Sequence, residues 1–120
     1  MSELLNGWKR SGMCADFGPA NVGQEVTLMG WVQRRRNLGG LIFVWLRDRS
    51  GIMQIVFDEN RDAEGFQKAE SLRSEFVVAV KGKIAKRDEQ NINKDLKTGE
   101  IEVEVNELKI LSSAATPPFE

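Results

Sequence analysis

Apolar and polar residues alternate one for one over Glu25–Gln33, with Val26, Leu28, Gly30 and Val32 on one face and Thr27, Met29 and Trp31 on the other. A period of two is that of a half-buried β-strand. Asn37–Gly40 follows as a turn, because Gly39 and Gly40 can adopt positive φ without a Cβ clash. Leu41–Asp48 is rich in β-formers and predicts a second strand, with Ile42, Val44 and Leu46 inward and Leu41, Phe43, Trp45 and Arg47 outward. The turn Asp48–Gly51 then leads into a third strand, Ile52–Phe57, hairpin-paired to the second. Over Asp62–Arg73 the period changes. Phe66, Ala69 and Leu72 fall three apart, Asp62 stands at a capping position and Glu64 suits the positive end of the dipole, which predicts a helix. Phe76–Ala85 returns to period two, with Phe76, Val78, Val80, Gly82 and Ile84 on one face. Ile101–Leu111 is a fifth strand whose apolar parity slips from Ile101, Val103 and Val105 to Leu108 and Ile110, predicting a bulge near Asn106. Asp88–Gly99, between the last two strands, carries no period and reads as a long polar loop.

Three strands, a helix and two more strands is the order of the OB-fold, a five-stranded Greek-key barrel. The fold class expected is therefore all-β with one short helix between strands three and four. Gly30 and Gly82 inside strands one and four fit the sharp coiling of so small a barrel. Leu4, Leu5 and Trp8 predict one short amphipathic helical turn that packs under it. The organisation expected is an N-terminal segment over 1–22, the barrel over 23–112, and the start of a linker over 113–120, where Pro117 and Pro118 stop the last strand.

Composition narrows the function. With 120 residues, 41% of them apolar, the chain suffices for one packed core. No run approaches the ~18 consecutive apolar residues of a membrane span, and the N-terminus lacks the order of a signal peptide. Histidine is absent and Cys14 is the single cysteine, so His-dependent triads and Cys/His metal clusters are excluded within this chain, and a reducing setting is expected. No catalytic residue and no metal or cofactor site is expected in it. Net charge is −1 but unevenly spread. Residues 24–57 hold five basic and two acidic groups and residues 81–97 six and three, while 58–75 hold three and six and 100–120 one and five. Such a chain is not a strongly basic nucleic-acid binder, yet two basic blocks that meet in space can form an electropositive groove on an acidic body.

The candidate chemistry falls on one face. Phe43 and Trp45 on strand two form a stacking platform, because every nucleobase offers a π-face; a loop lying over them is the alternative. Gln54 on strand three lies beside that row and both donates and accepts, as base-edge reading requires. Arg34, Arg35 and Arg36 close strand one in a turn where guanidiniums grip phosphates, or remain a solvated run. Lys86 and Arg87 open the loop after strand four, whose amides Asn91 and Asn93 suit single-stranded bases. Glu102 at the start of strand five points away from the core and accepts from a base amino group, unless it serves only to blunt an edge strand.

These residues stand in runs that closely resemble a known family. Gly23-Gln24-Glu25-Val26, Gly30-Trp31-Val32, Arg34-Arg35-Arg36, Leu38-Gly39-Gly40-Leu41-Ile42-Phe43, Leu46-Arg47-Asp48-Arg49, Gln54-Ile55-Val56-Phe57, Asn91-Ile92-Asn93 and Gly99-Glu100-Ile101-Glu102 resemble the anticodon-binding domain of bacterial aspartyl-tRNA synthetases. The likeness runs over about 22–112. It implies that Phe43 stacks on the central anticodon base, a uridine, and that Gln54 reads its edge. It also implies that Arg36 contacts the region of the first base, that Glu102 reads the third base, a cytidine, and that Asn91 and Asn93 close over that third base. Arg34, Arg35, Lys86 and Arg87 are then contacts to the tRNA backbone. Trp45 departs from the pattern, which often has Asp there, and so do Asn37 and the Cys14-Ala15 pair. Nothing here resembles the catalytic motifs that bind ATP and aspartate, so the resemblance implies a piece of a longer cytoplasmic ligase. ATP and Mg belong to that full-length enzyme, and it is a homodimer through its catalytic part. A stand-alone single-stranded nucleic-acid-binding barrel, or a barrel whose aromatic face binds a protein, shares these residues.

Overall fold

In the computed structural model, which describes residues 7–112, every strand pairs on both sides and the sheet closes on itself. The strands are β1 (Glu25–Leu38), β2 (Leu41–Asp48), β3 (Gly51–Asp58), β4 (Val77–Lys86) and β5 (Ile101–Ser112), with one helix, α1 (Ala63–Ala69). They run in the order β1-β2-β3-β5-β4 around the barrel, antiparallel except for the β3–β5 contact. This is the five-stranded barrel with one helix that the element order predicts. The inward row of each strand fills it: Val26, Leu28, Val32, Ile42, Val44, Leu46, Met53, Ile55 and Phe57 are all buried.

Two strands bear the marks of tight closure. The fifth strand carries its extra residue at Asn106, because Lys81 pairs with Glu107 and the next residue, Gly82, with Val105. A Cβ on Gly82 would stand 2.2 Å from the Glu104 carbonyl oxygen, and one on Gly30 2.3 Å from that of Arg47. Backbone on the neighbouring strand occupies the space of a side chain at both positions. Gly82→Ala is therefore expected to destabilise the chain by about 1–3 kcal/mol, the usual cost of overpacking a filled core. Chemical denaturation checks this, and an unchanged midpoint would show that β5 moves aside freely.

Several boundaries differ from the sequence pattern. The first strand continues past Gln33 to Leu38, with a second bulge between Val32 and Arg34, so the three arginines lie in strand rather than in a turn. The helix stops at Ala69 instead of Arg73. Asp62 caps its start by accepting from the Gly65 amide at 3.1 Å, as expected. At its other end the Arg35 guanidinium takes the carbonyls of Ala69 and Glu70, and a cation is favoured at a helix C-terminus. Leu72 is still buried, so the apolar spacing outlasts the helix. The fourth strand begins at Val77, one residue later than expected.

The described part of the N-terminal segment lies against the barrel through Trp8, Ser11 and Cys14. Residues 14–16 and 19–21 form two short 3-10 turns. The buried Asp48 carboxylate accepts from the Cys14 amide at 2.7 Å, the Ser50 amide at 2.8 Å and the Ser50 hydroxyl at 2.6 Å. Burial alone would raise its pKa, but those donors hold it below the ordinary carboxylate value. Burial, with the Asp48 charge beside it, pushes the Cys14 thiol far up and disfavours its thiolate, and the side chain packs in the core cluster. Trp8 lies between Lys81 and Lys109, whose ammonium groups stand 4.5 and 4.6 Å from its ring centre. Leu4, Leu5 and the expected linker over 113–120 lie outside the described residues.

Candidate nucleic-acid interface

The bulge at Gln33 decides which arginines face the ligand side. Beyond it Arg34 pairs with Trp45 and Arg36 with Phe43, and both arginines line an open groove of about 480 Å³. Arg35 points the other way, onto the end of α1. The expectation puts Arg34 and Arg35 at the backbone of a nucleic acid and Arg36 at the first base; the structure brings Arg34 and Arg36 to the groove and occupies Arg35 with the helix. Strand β2 contributes Leu41, Phe43 and Trp45, all half-buried, on the opposite parity to its core row. The outward register of Phe43 and Trp45 is that expected from the alternation.

Polar groups form a row across the sheet. Trp45 pairs with Gln54 on β3, and the Gln54 amide nitrogen donates to the Glu102 carboxylate at 2.9 Å. The row therefore runs Arg34, Trp45, Gln54, Glu102. Burial raises the Glu102 pKa above the ordinary value, only partly offset by the Gln54 hydrogen bond and the Arg87 charge. Because a carboxylate only accepts, this contact fixes the amide: Gln54 turns its nitrogen to Glu102 and keeps its oxygen and second N–H for other partners.

The loop after β4 makes the second wall, through Arg87, Asp88, Gln90, Asn91 and Asn93. It is a built structure. Residues 89–91 form a 3-10 turn, the Asn93 amide donates to the Gly99 carbonyl at 3.0 Å, and the Thr98 hydroxyl bonds the Ile52 carbonyl. A Cβ on Gly99 would stand only 1.6 Å from the Asn93 carbonyl oxygen. Arg87 differs most from its sequence-based role. It is only 3% exposed, too deep to serve as a surface grip on phosphate. Its Nε donates to the Ile101 carbonyl at 2.8 Å and its Nη1 to that of Asn91 at 3.2 Å. Its Nη2 is buried without a hydrogen-bond partner among the described residues. Burial lowers its pKa, and the Glu102 charge opposes that. Lys86 is exposed at the end of β4 and does not line the groove.

Phe43, Gln54, Arg36, Asn91 and Asn93 thus line one groove, with Glu102 beside Gln54 on the neighbouring strand, at the groove's edge rather than in its lining. Leu41 lines it too, on the outward row that the alternation predicts, and so do Leu38, Asp88 and Gln90, which carry no sequence signal of their own; the turn at Gly39–Gly40 sets Leu38 opposite Leu41. Flat apolar rings, convergent amides and three guanidiniums form a surface suited to unpaired bases on an anionic backbone.

The tRNA anti-codon family model, an OB-fold nucleic acid binding domain, matches residues 26–111. The chain belongs to this family. As an OB-fold nucleic acid binding domain it is 58% identical over 120 residues to the aspartate–tRNA ligase of Agathobacter rectalis. It is 52% identical over 119 residues to the aspartate–tRNA(Asp/Asn) ligase of a Thermoanaerobacter species. In each comparison 99% of this chain is covered, and it spans about a fifth (20%) of the relative's length. Among solved structures it is similar to the asparaginyl-tRNA synthetase of Pyrococcus horikoshii complexed with asparaginyl-adenylate. There the identity is 30% and the TM-score 0.74, over 89% of this chain and 23% of that one. This domain's groove lies wholly within the matched residues.

Proposed function

We propose that the groove binds the anticodon of a tRNA and that the chain is the anticodon-reading part of an aspartate–tRNA ligase. The observation that carries the reading is the Gln54–Glu102 hydrogen bond at the foot of the aromatic row. With its nitrogen committed to Glu102, Gln54 offers a carbonyl oxygen and one N–H side by side. Uracil presents an N3–H donor flanked by carbonyl acceptors, which is the complementary pattern. The base itself lies on Phe43, diagonal to Gln54 across the β2–β3 pair. Arg36, paired with Phe43, reaches the nucleotide before it, and Glu102 with Asn91 and Asn93 takes the nucleotide after it.

The remaining oxygen capacity of Glu102 suits a cytosine amino group. Arg34 and Lys86 serve the backbone, while Arg87 acts from inside the wall, where it shapes the loop through the Ile101 and Asn91 carbonyls. In the whole ligase, ATP and Mg belong with the catalytic part, through which two copies pair, and the enzyme works in the cytoplasm. The 58% and 52% identities to an aspartate–tRNA ligase and an aspartate–tRNA(Asp/Asn) ligase support the ligase part of this reading.

Phe43→Ala tests it. Affinity for an anticodon stem-loop bearing G-U-C is expected to fall by about 1–3 kcal/mol, the usual worth of one stacked base. The melting temperature should stay nearly unchanged, because the ring is not part of the core. Unchanged affinity with an intact fold would remove the groove from tRNA binding.

A further inference from the structure

The groove contains a second aromatic surface that the anticodon reading leaves unused. Trp45 stands two residues from Phe43 on β2, on the same face, with its ring half-buried along the groove. The guanidinium of Arg34, its partner in the β1–β2 ladder, lies over that ring with Cζ 5.6 Å from the centre. Cations stack on indole more favourably than on other rings, and guanidinium planes themselves stack on bases. We propose that Trp45 and Arg34 form a second stacking platform, which takes the nucleobase adjacent to the one on Phe43; this rests on the anticodon reading above.

Three features support a nucleobase as the occupant. Positions two apart on a strand are separated by about 6.6 Å, roughly twice the 3.4 Å rise per nucleotide of a stacked strand. Bases on Phe43 and Trp45 are therefore splayed from one another, as in single-stranded loops recognised by proteins. Next, the row continues from Trp45 to Gln54 and Glu102, so a base on the indole has polar side chains at its edge. Finally, Arg34 and Arg36 flank the two rings on one side, and their charge suits the phosphate linking two such nucleotides.

The test uses the full chain with Trp8 and Trp31 changed to Phe, leaving Trp45 as the only indole. Titration with the G-U-C stem-loop should quench its emission to saturation, with a midpoint equal to that of binding measured by anisotropy of labelled RNA. Trp45→Ala should weaken binding about 5- to 150-fold, and Trp45→Phe should retain most of the affinity, since a ring suffices for stacking. A loop made abasic next to the central base should lose little more on Trp45→Ala. Emission unchanged at saturation, or unchanged affinity in Trp45→Ala while Phe43→Ala is impaired, would overturn the second platform and leave the anticodon reading standing. If Phe43→Ala and Trp45→Ala both bind normally, the anticodon reading itself falls. Should Trp45→Ala fail to fold, the emission titration and Trp45→Phe with the abasic loop still decide.

Discussion

Arg87→Met is expected to lower stability by about 2–4 kcal/mol and to remove most binding in the groove. The Ile101 and Asn91 carbonyls each lose a charged donor, and such hydrogen bonds contribute about 1.5–3 kcal/mol apiece. Relief of the guanidinium's own desolvation offsets part of that loss, and replacing it together with its charged neighbour would come closer to neutral. Replacing Arg87 alone leaves Glu102 part-buried without the charge that offsets its burial. Met keeps the apolar stem, which separates the loss of hydrogen bonds from the loss of volume. Arg87→Lys retains the charge without the fork and should fall between the two. Urea denaturation and hydrogen exchange of the Asn91 and Asn93 amides check this. Normal stability with wild-type exchange in the loop would show that the wall stands without Arg87.

Glu102→Gln is expected to reduce discrimination of cytosine over uracil at the third anticodon position by about 1–3 kcal/mol, the worth of one good base-edge hydrogen bond. The carboxylate only accepts, so it welcomes the cytosine amino group and repels the uracil carbonyl. An amide can do either. The pH dependence separates this from a change of shape. The Glu102 pKa is raised, so as pH falls into the range just above the ordinary carboxylate value the group takes up a proton. Its O–H then offers uracil a donor, and the preference for cytosine is lost with falling pH. It returns as pH rises past that window, and the Gln variant should be flat throughout. Stem-loops differing only at that base, titrated across the acid range, measure the effect. An identical pH profile in both proteins would remove Glu102 from base reading.

The alternation of single residues makes much of this molecule legible. It places Phe43 and Trp45 outward and Ile42, Val44 and Leu46 inward, and the parity slip locates the bulge at Asn106. The Arg34–Arg36 run carries no such signal, because three like residues have no alternation. Their directions follow from a bulge at Gln33, just past Val32, which is paired with Leu46 on one side and exchanges backbone hydrogen bonds with Glu75 and Phe76 on the other. Glu75 adopts φ 75°, a left-handed conformation, and the chain reverses there after α1. Neither residue advertises this in sequence. The helix overshoot has a similar cause: Leu72 keeps the apolar spacing, but the guanidinium of Arg35, far away in the chain, takes the last carbonyls. The depth of Arg87 is equally invisible in sequence. Burial of a charged loop residue depends on carbonyls from Asn91 and Ile101, which only the folded loop brings together.

An anticodon-reading groove takes three bases in a fixed order. The most direct measurement is a titration of the 120-residue chain, at fixed salt, with two stem-loops of identical stem and composition, one carrying G-U-C and the other the same three bases permuted to C-U-G. Phosphate contacts are equal in both, so any difference comes from the bases. The groove described here predicts weaker binding of the permuted loop, by about 1–3 kcal/mol for each base-edge hydrogen bond that the permutation breaks. It also predicts that Glu102→Gln narrows the gap. Equal affinities for the two loops would mean that the barrel holds single-stranded RNA by stacking and charge alone, and would contradict anticodon recognition.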